Sequence, residues 1–219
     1  MTDMTELNGR ETMLFDAEFC ATIHRPGSSE LLEWLHSTTF FYDPASTMYH
    51  EAKQGGLVRH SIRVYYNLYN LCKEFHLNTS EISSDYLEKI AICGLLHDIC
   101  KIGCYKPDFR NVKKYDFTMK DLDETGAKIK TDNNGDFIWI SKPTYKFDDE
   151  FPLGHGEKSV YLIQKFMQLT DEEAVAIRWH MGTFTDETRN ISNAYNKYPF
   201  ALLLSMADQY TTFFDEKYL

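Results

Sequence analysis

The sequence has no apolar run approaching the roughly 20 residues that a bilayer-spanning helix needs. Its first stretch, MTDMTELNGRETMLFDAEF, lacks the basic and then apolar order of a secretory signal, so the cytoplasm is the expected compartment and no membrane partner is expected. Cysteine is scarce and odd in number: Cys20, Cys72, Cys93, Cys100 and Cys104 cannot all pair, which suits reduced thiols better than a disulfide framework. Cys100 and Cys104 make half of a four-cysteine metal site, but no second pair completes it, and packed thiols are favoured. Internal repeats, low-complexity tracts and Gly/Ser/Pro linkers are all missing, so residues 1–219 are read as a single domain. Blocks of like charge are missing too. The balance of 23 basic against 33 acidic residues, a net charge of −10, repels long polyanions and disfavours extended nucleic-acid binding. A small anion in one local basic pocket stays open.

What is present is ordinary globular material, 43% hydrophobic and 26% charged, in a chain long enough to bury a substantial core. Its patterning is a chain of helices with one interruption. SSELLEWLHSTTF reads as the first clear helix, capped by Ser28 or Ser29, with Leu31, Leu32 and Leu35 as its apolar stripe. In LVRHSIRVYYNLYNLCKEF, the residues His60, Val64, Leu68 and Leu71 share one face, which points His60 inward. Residues 86–102 read as one central helix, apolar around its whole circumference.

Between residues 104 and 150 the helical period disappears. KIKTDNNGDFIWIS there reads as a hairpin turning at Asn-Gly, part of an inserted β-containing flap with irregular flanks. Helices resume with GEKSVYLIQKFMQL and TDEEAVAIRWHMG, the latter with a Thr170/Glu173 capping box and Gly182 as its stop. Pro199 opens the last helix, FALLLSMADQYTTFF. The fold class expected is all-α with a small inserted hairpin.

Polar groups then stand out where apolar ones belong. On one continuous helix, His97 and Lys101 share a face with Asp98 beside them, and buried ionisable groups cost several kcal/mol unless paired or bound. An Asp98–Lys101 salt bridge is the plain explanation for that segment alone. Asp208, however, interrupts FALLLSMADQY on the face of Leu204 and Thr211, His155 opens one helix, and His180 closes another. Singly, each is ordinary. Together, His60, His97, Asp98, His155, His180 and Asp208 are imidazoles and carboxylates, the ligand types of divalent transition metals, in a number that suits two ions about 3.5–4 Å apart.

GGLVRHS, then LLHDICKIG, then SMADQY resemble the HD superfamily of metal-dependent phosphohydrolases, over roughly residues 28–215. The resemblance implies an HD-domain helical bundle, with the 104–150 stretch an insertion of a subset of members. It also implies a first ion held by His60, His97, Asp98 and Asp208, and a second held by Asp98, His155 and His180. The implied cofactors are two divalent ions drawn from Mn, Fe, Zn, Ni or Co, with Mg an open choice. Cys100 stands where glycine is usual before Lys101, and the Gly-Tyr-Pro signature of cyclic-di-GMP members is absent.

The implied reaction is hydrolysis of a phosphoester or anhydride, with Asp98 and Lys101 as catalytic residues and a small phosphorylated substrate, a nucleotide for preference. Arg59, Arg63, Arg178, His50 and Lys53 are candidate phosphate contacts, although a solvated helix face is the favoured reading for each arginine. Tyr105, Phe109, Tyr115, Trp139 and Tyr145 are candidates for stacking on a base, but packing the insertion onto the helical body is the favoured reading. Two rivals share the pattern: an HD-type di-iron oxygenase, and a nucleotide-binding module without turnover.

Overall fold

The computed structural model describes residues 4–75, 83–182 and 188–218. Helices α1 (Met4–Thr22), α2 (Ser28–Ser37), α3 (Gly56–Phe75) and α4 (Ser84–Leu96) lead to a tight 3-10 turn at Ile99–Lys101. Next come β1 (Tyr105–Lys114), α5 (Met119–Thr125), β2 (Lys130–Asp132) and β3 (Gly135–Phe147). The chain ends with α6 (His155–Gln164), α7 (Asp171–Trp179), α8 (Thr188–Lys197), α9 (Pro199–Tyr210), a π-helical turn at Thr211–Asp215, and α10 (Glu216–Tyr218). The protein is mostly helical with one small antiparallel sheet, in the order β1-β3-β2.

The core is aliphatic. Leu57, Val64 and Leu68 of α3 meet Ile92, Leu95 and Leu96 of α4 and Leu204 of α9, all of them fully buried. Each such side chain contributes about 1.5–3 kcal/mol by leaving water. Phe15 of α1 packs on Phe19 and on Phe40 and Phe41, which joins α1 to the segment after α2. In the link between α1 and α2, Arg25 bridges Glu88 of α4 at 3.1 Å and the buried Glu173 of α7 at 2.8 Å, tying that link to two helices.

Several expectations change. The chain forms α1 and α8, which the sequence reading passed over; α8 buries Ile191 and Ala194 in an otherwise polar segment, too little for a stripe. Neither Ser28 nor Ser29 caps α2. The cap is Gly27 at φ 88, where a Cβ would lie 1.8 Å from the Phe166 carbonyl oxygen, so only glycine fits. The single helix expected over 86–102 ends at Leu96. Beyond it Asp98 takes φ −108, ψ 12, and the backbone bonds tighten to Lys101 N–H on the Asp98 carbonyl and Ile102 N–H on the Ile99 carbonyl. The capping box Thr170/Glu173 and Pro199 in the first turn of α9 are as expected.

The 104–150 stretch is more regular than expected. Its main feature is a ten-residue β1–β3 ladder from Tyr105↔Phe147 to Lys114↔Ile138. The short hairpin exists, but Asp132 pairs with Gly135, so the turn residues are Asn133 and Asn134 and Gly135 already belongs to β3.

Candidate metal centre

The break after α4 is what aims the centre. His97, still at helical φ −55, ψ −33 as the residue that ends α4, turns its Nδ1–H back onto the Gly94 carbonyl at 2.9 Å. His180, one residue past α7, does the same to the Ile177 carbonyl at 2.7 Å. A ring whose Nδ1 carries the proton presents a bare lone pair at Nε2, the form a metal takes, and both Nε2 atoms face the interior. His60 comes in from the buried face of α3, His155 from the first residue of α6, and Asp208 from the middle of α9.

Asp98 sits between two groups of donors. On its Oδ2 side lie His60 Nε2 and His97 Nε2, each at 3.5 Å, and His60 Nε2 is 3.1 Å from Asp208 Oδ1. On its Oδ1 side lie His155 Nε2 at 2.8 Å and His180 Nε2 at 3.4 Å. Four overlapping sets among the described residues place their donor atoms within 4.8 Å of one another: His60/His97/Asp208, His97/Asp98/His180, Asp98/Cys100/His155 and, on the outer side of His60, His50/His60/Glu216. The third set puts Cys100 where the resemblance put His180. Four of the six groups, His60, His97, Asp98 and His180, are essentially inaccessible to water.

One atom tests whether these residues suit a cation. His180 Nε2 is buried and makes no hydrogen bond, an arrangement worth about 1–3 kcal/mol of instability unless something outside the chain completes it. A divalent ion on the Asp98 carboxylate supplies that partner, and the donor set fits it.

The charges agree. Burial would raise the Asp98 carboxyl, but Lys101 and the surrounding imidazoles hold it well below the usual range, and His60 does the same for Asp208. Burial pushes His97 and His155 down, toward the neutral imidazole that binds metal. Burial would lower His60 too, but Asp208 and Glu216 outweigh it and lift the imidazolium to about 10. In the ion-free protein a proton on His60 thus supplies positive charge, together with Lys101, whose Nζ is 2.7 Å from Asp98 Oδ2.

Glu216 escaped the sequence reading altogether. Its buried carboxylate accepts from His60 Nδ1 at 3.1 Å and orients the ring from outside, as carboxylates behind metal-bound histidines do. The short FDEKY segment around it has no periodicity to give this away.

A cavity of about 530 Å³ opens onto the centre, lined among others by Tyr49, His50, Lys101, His155, Asp208 and Phe213. His50 packs on His60 with ring centroids 5.0 Å apart, and burial together with the charge of His60 lowers it to about 4. The arginines are occupied elsewhere. Arg59 and Arg63 grip the buried Glu51 at 2.9 and 2.7 Å, Arg178 pairs with Glu157, and the exposed Lys53 lies 3.4 Å from Glu51. Of the five candidate phosphate contacts, His50 alone lines this cavity.

The β-sheet leaves the cavity lining to other segments and braces its wall. Thr144 Oγ1 donates to the Thr47 carbonyl at 2.9 Å, and the Tyr105 hydroxyl donates to the Ala45 carbonyl at 3.2 Å. These bonds fix the loop that carries Tyr49 and His50. Among the insertion aromatics Tyr105 bonds that loop through its hydroxyl and Tyr145 through its backbone N–H, which donates to the Thr47 carbonyl at 3.4 Å; Tyr115, Phe137 and Trp139 pack on one another, and Phe109 is exposed.

Fold and centre together define a mostly helical protein with buried histidine, aspartate and cysteine groups that can hold a metal ion. No described helix is long and apolar enough to cross a membrane. No family model, curated protein or solved structure matches the chain.

Proposed function

We propose that the chain is a metal-dependent phosphohydrolase of the HD type, acting on a nucleotide or a related small phosphoester. The observation that carries this is Asp98, whose two carboxylate oxygens face separate groups of imidazoles beside a cavity that His155 and Asp208 line. Ions bound there, one held by His60, His97, Asp98 and Asp208 and another by Asp98 with His155 and His180, would supply a water of lowered pKa and positive charge for phosphoryl oxygens.

The chain's own groups provide the rest. Lys101 lines the cavity, and its buried ammonium, kept charged by Asp98 against the cost of burial, can bind an equatorial phosphoryl oxygen. His50 Nε2 is buried without a partner in the protein, so a hydroxyl or phosphate oxygen of a substrate can satisfy it. Tyr49 and Phe213 offer flat apolar surface for a base or sugar. With Lys101 the one lysine or arginine that lines the cavity among the described residues, a substrate carrying a single phosphate fits better than a triphosphate.

The test is phosphate release from a panel of nucleotides and phosphoesters by protein loaded with Mn²⁺, Fe²⁺, Co²⁺, Ni²⁺ or Zn²⁺. Turnover with at least one metal, abolished by chelation, is the expected result. Metal-loaded protein that consumes oxygen and releases no phosphate would replace this reading with the di-iron oxygenase one; nucleotide binding with every phosphoester intact would replace it with a sensor.

A further inference from the structure

Cys100 occupies the centre of the tight turn that follows Asp98, with its side chain buried. Its Sγ is 3.5 Å from His155 Nδ1 and 3.7 Å from His155 Nε2. Sulfur, an Asp98 oxygen and a His155 nitrogen all fall within 4.8 Å of one another. Ligand atoms roughly 2.0–2.3 Å from a common zinc-like ion stand about 3–4 Å apart, so small side-chain rotations bring these three onto one ion.

The backbone holds them face to face. Cys100 N–H donates to the buried Ser159 Oγ at 3.1 Å, and Ser159 lies one turn along α6 from His155. An independent sign marks the same side of Asp98: the unpartnered, fully buried Nε2 of His180 stands 3.4 Å from Oδ1, the oxygen that His155 also contacts.

We infer that Cys100 is a thiolate ligand of the ion on the Oδ1 side of Asp98, beside His155. The inference rests on the metal-centre reading above and adds a soft donor to it. On binding, the thiol proton leaves to solvent, and the sulfur makes that position select Zn²⁺, Fe²⁺ or Co²⁺ over Mg²⁺. The two positions therefore differ: oxygen and nitrogen donors surround one, and sulfur joins them at the other. Cys104 takes no part. Its Sγ donates to the Cys100 carbonyl at 3.3 Å and lies 3.3 Å from Lys158 Nζ.

Full-length protein stripped with chelator and titrated with Co²⁺ to two equivalents tests this through its near-ultraviolet absorption, where thiolate-to-cobalt charge transfer appears. The band is expected in the wild type and in Cys104→Ser, and lost in Cys100→Ser. The near-isosteric Cys100→Ser should keep its first equivalent and bind the second about tenfold or more weaker. Cobalt bound without a sulfur band in the wild type, or a band that survives Cys100→Ser, overturns the assignment of Cys100 while leaving the metal centre standing. Failure of the wild type to bind cobalt at all overturns both.

Discussion

Gly156 lies so close to Arg178 that a Cβ built on it would stand 2.3 Å from the Arg178 carbonyl oxygen. This contact lets the start of α6 touch the end of α7, and so brings His155 to within 5.1 Å of His180, centroid to centroid.

Gly156→Ala should therefore push the two helices apart. Overpacking of this kind costs about 1–3 kcal/mol. The expected outcome is a lowered melting temperature together with loss of one bound metal equivalent, read by elemental analysis. Unchanged stoichiometry in a destabilised variant would show that the contact serves stability alone.

Asp98→Ala should abolish both metal retention and phosphoester hydrolysis, because it removes the one group that faces both donor sets. Circular dichroism should remain helical, since the aliphatic core is untouched. Wild-type turnover in this variant would sink the mechanism.

Glu216→Gln is expected to leave the fold intact and weaken metal binding by about 10–100-fold, the usual effect of losing the carboxylate behind a metal-bound histidine. Competition against a chelator of known affinity measures it.

In the ion-free protein, His60 has its pKa raised from 6.5 to about 10 by Asp208 and Glu216 acting against burial. The stability it contributes is complete below pH 6.5 and is lost as pH rises toward 10. Chelator-treated protein should melt progressively earlier over that window, and His60→Gln should flatten the profile. Metal must displace this proton, so calorimetry at neutral pH in buffers of different ionisation enthalpy should report proton release on binding.

Arg25→Ala leaves the Glu173 carboxylate buried without its guanidinium, which costs about 3–5 kcal/mol. Denaturant unfolding should show the loss, and metal stoichiometry in the folded fraction should not change.

The sequence made the inward-facing residues legible because burial leaves a trace there: His60, His97 and Asp208 interrupt apolar faces, and His155 and His180 sit at recognisable helix ends. It could not reveal that the helix stops at Leu96, since ICKIG continues the apolar pattern, no proline stands near His97, and Gly94 lies inside the helix rather than at its end. The long β1–β3 ladder was hidden for a different reason. Both strands are largely exposed, so neither shows the alternation that a half-buried strand carries. Glu216 was invisible because a buried carboxylate in a short polar segment looks like any other surface acid.

The histidines that follow α4 and α7 share one device, a ring bonded to the carbonyl three residues back. It has an electrostatic corollary. Each helix ends at the centre, so the partial negative charge that aligned peptide dipoles accumulate at a carboxyl terminus, about half an elementary charge per helix, is directed there twice. The backbone itself thus builds an attractive potential for a cation, and it would persist in a variant stripped of every ligating side chain.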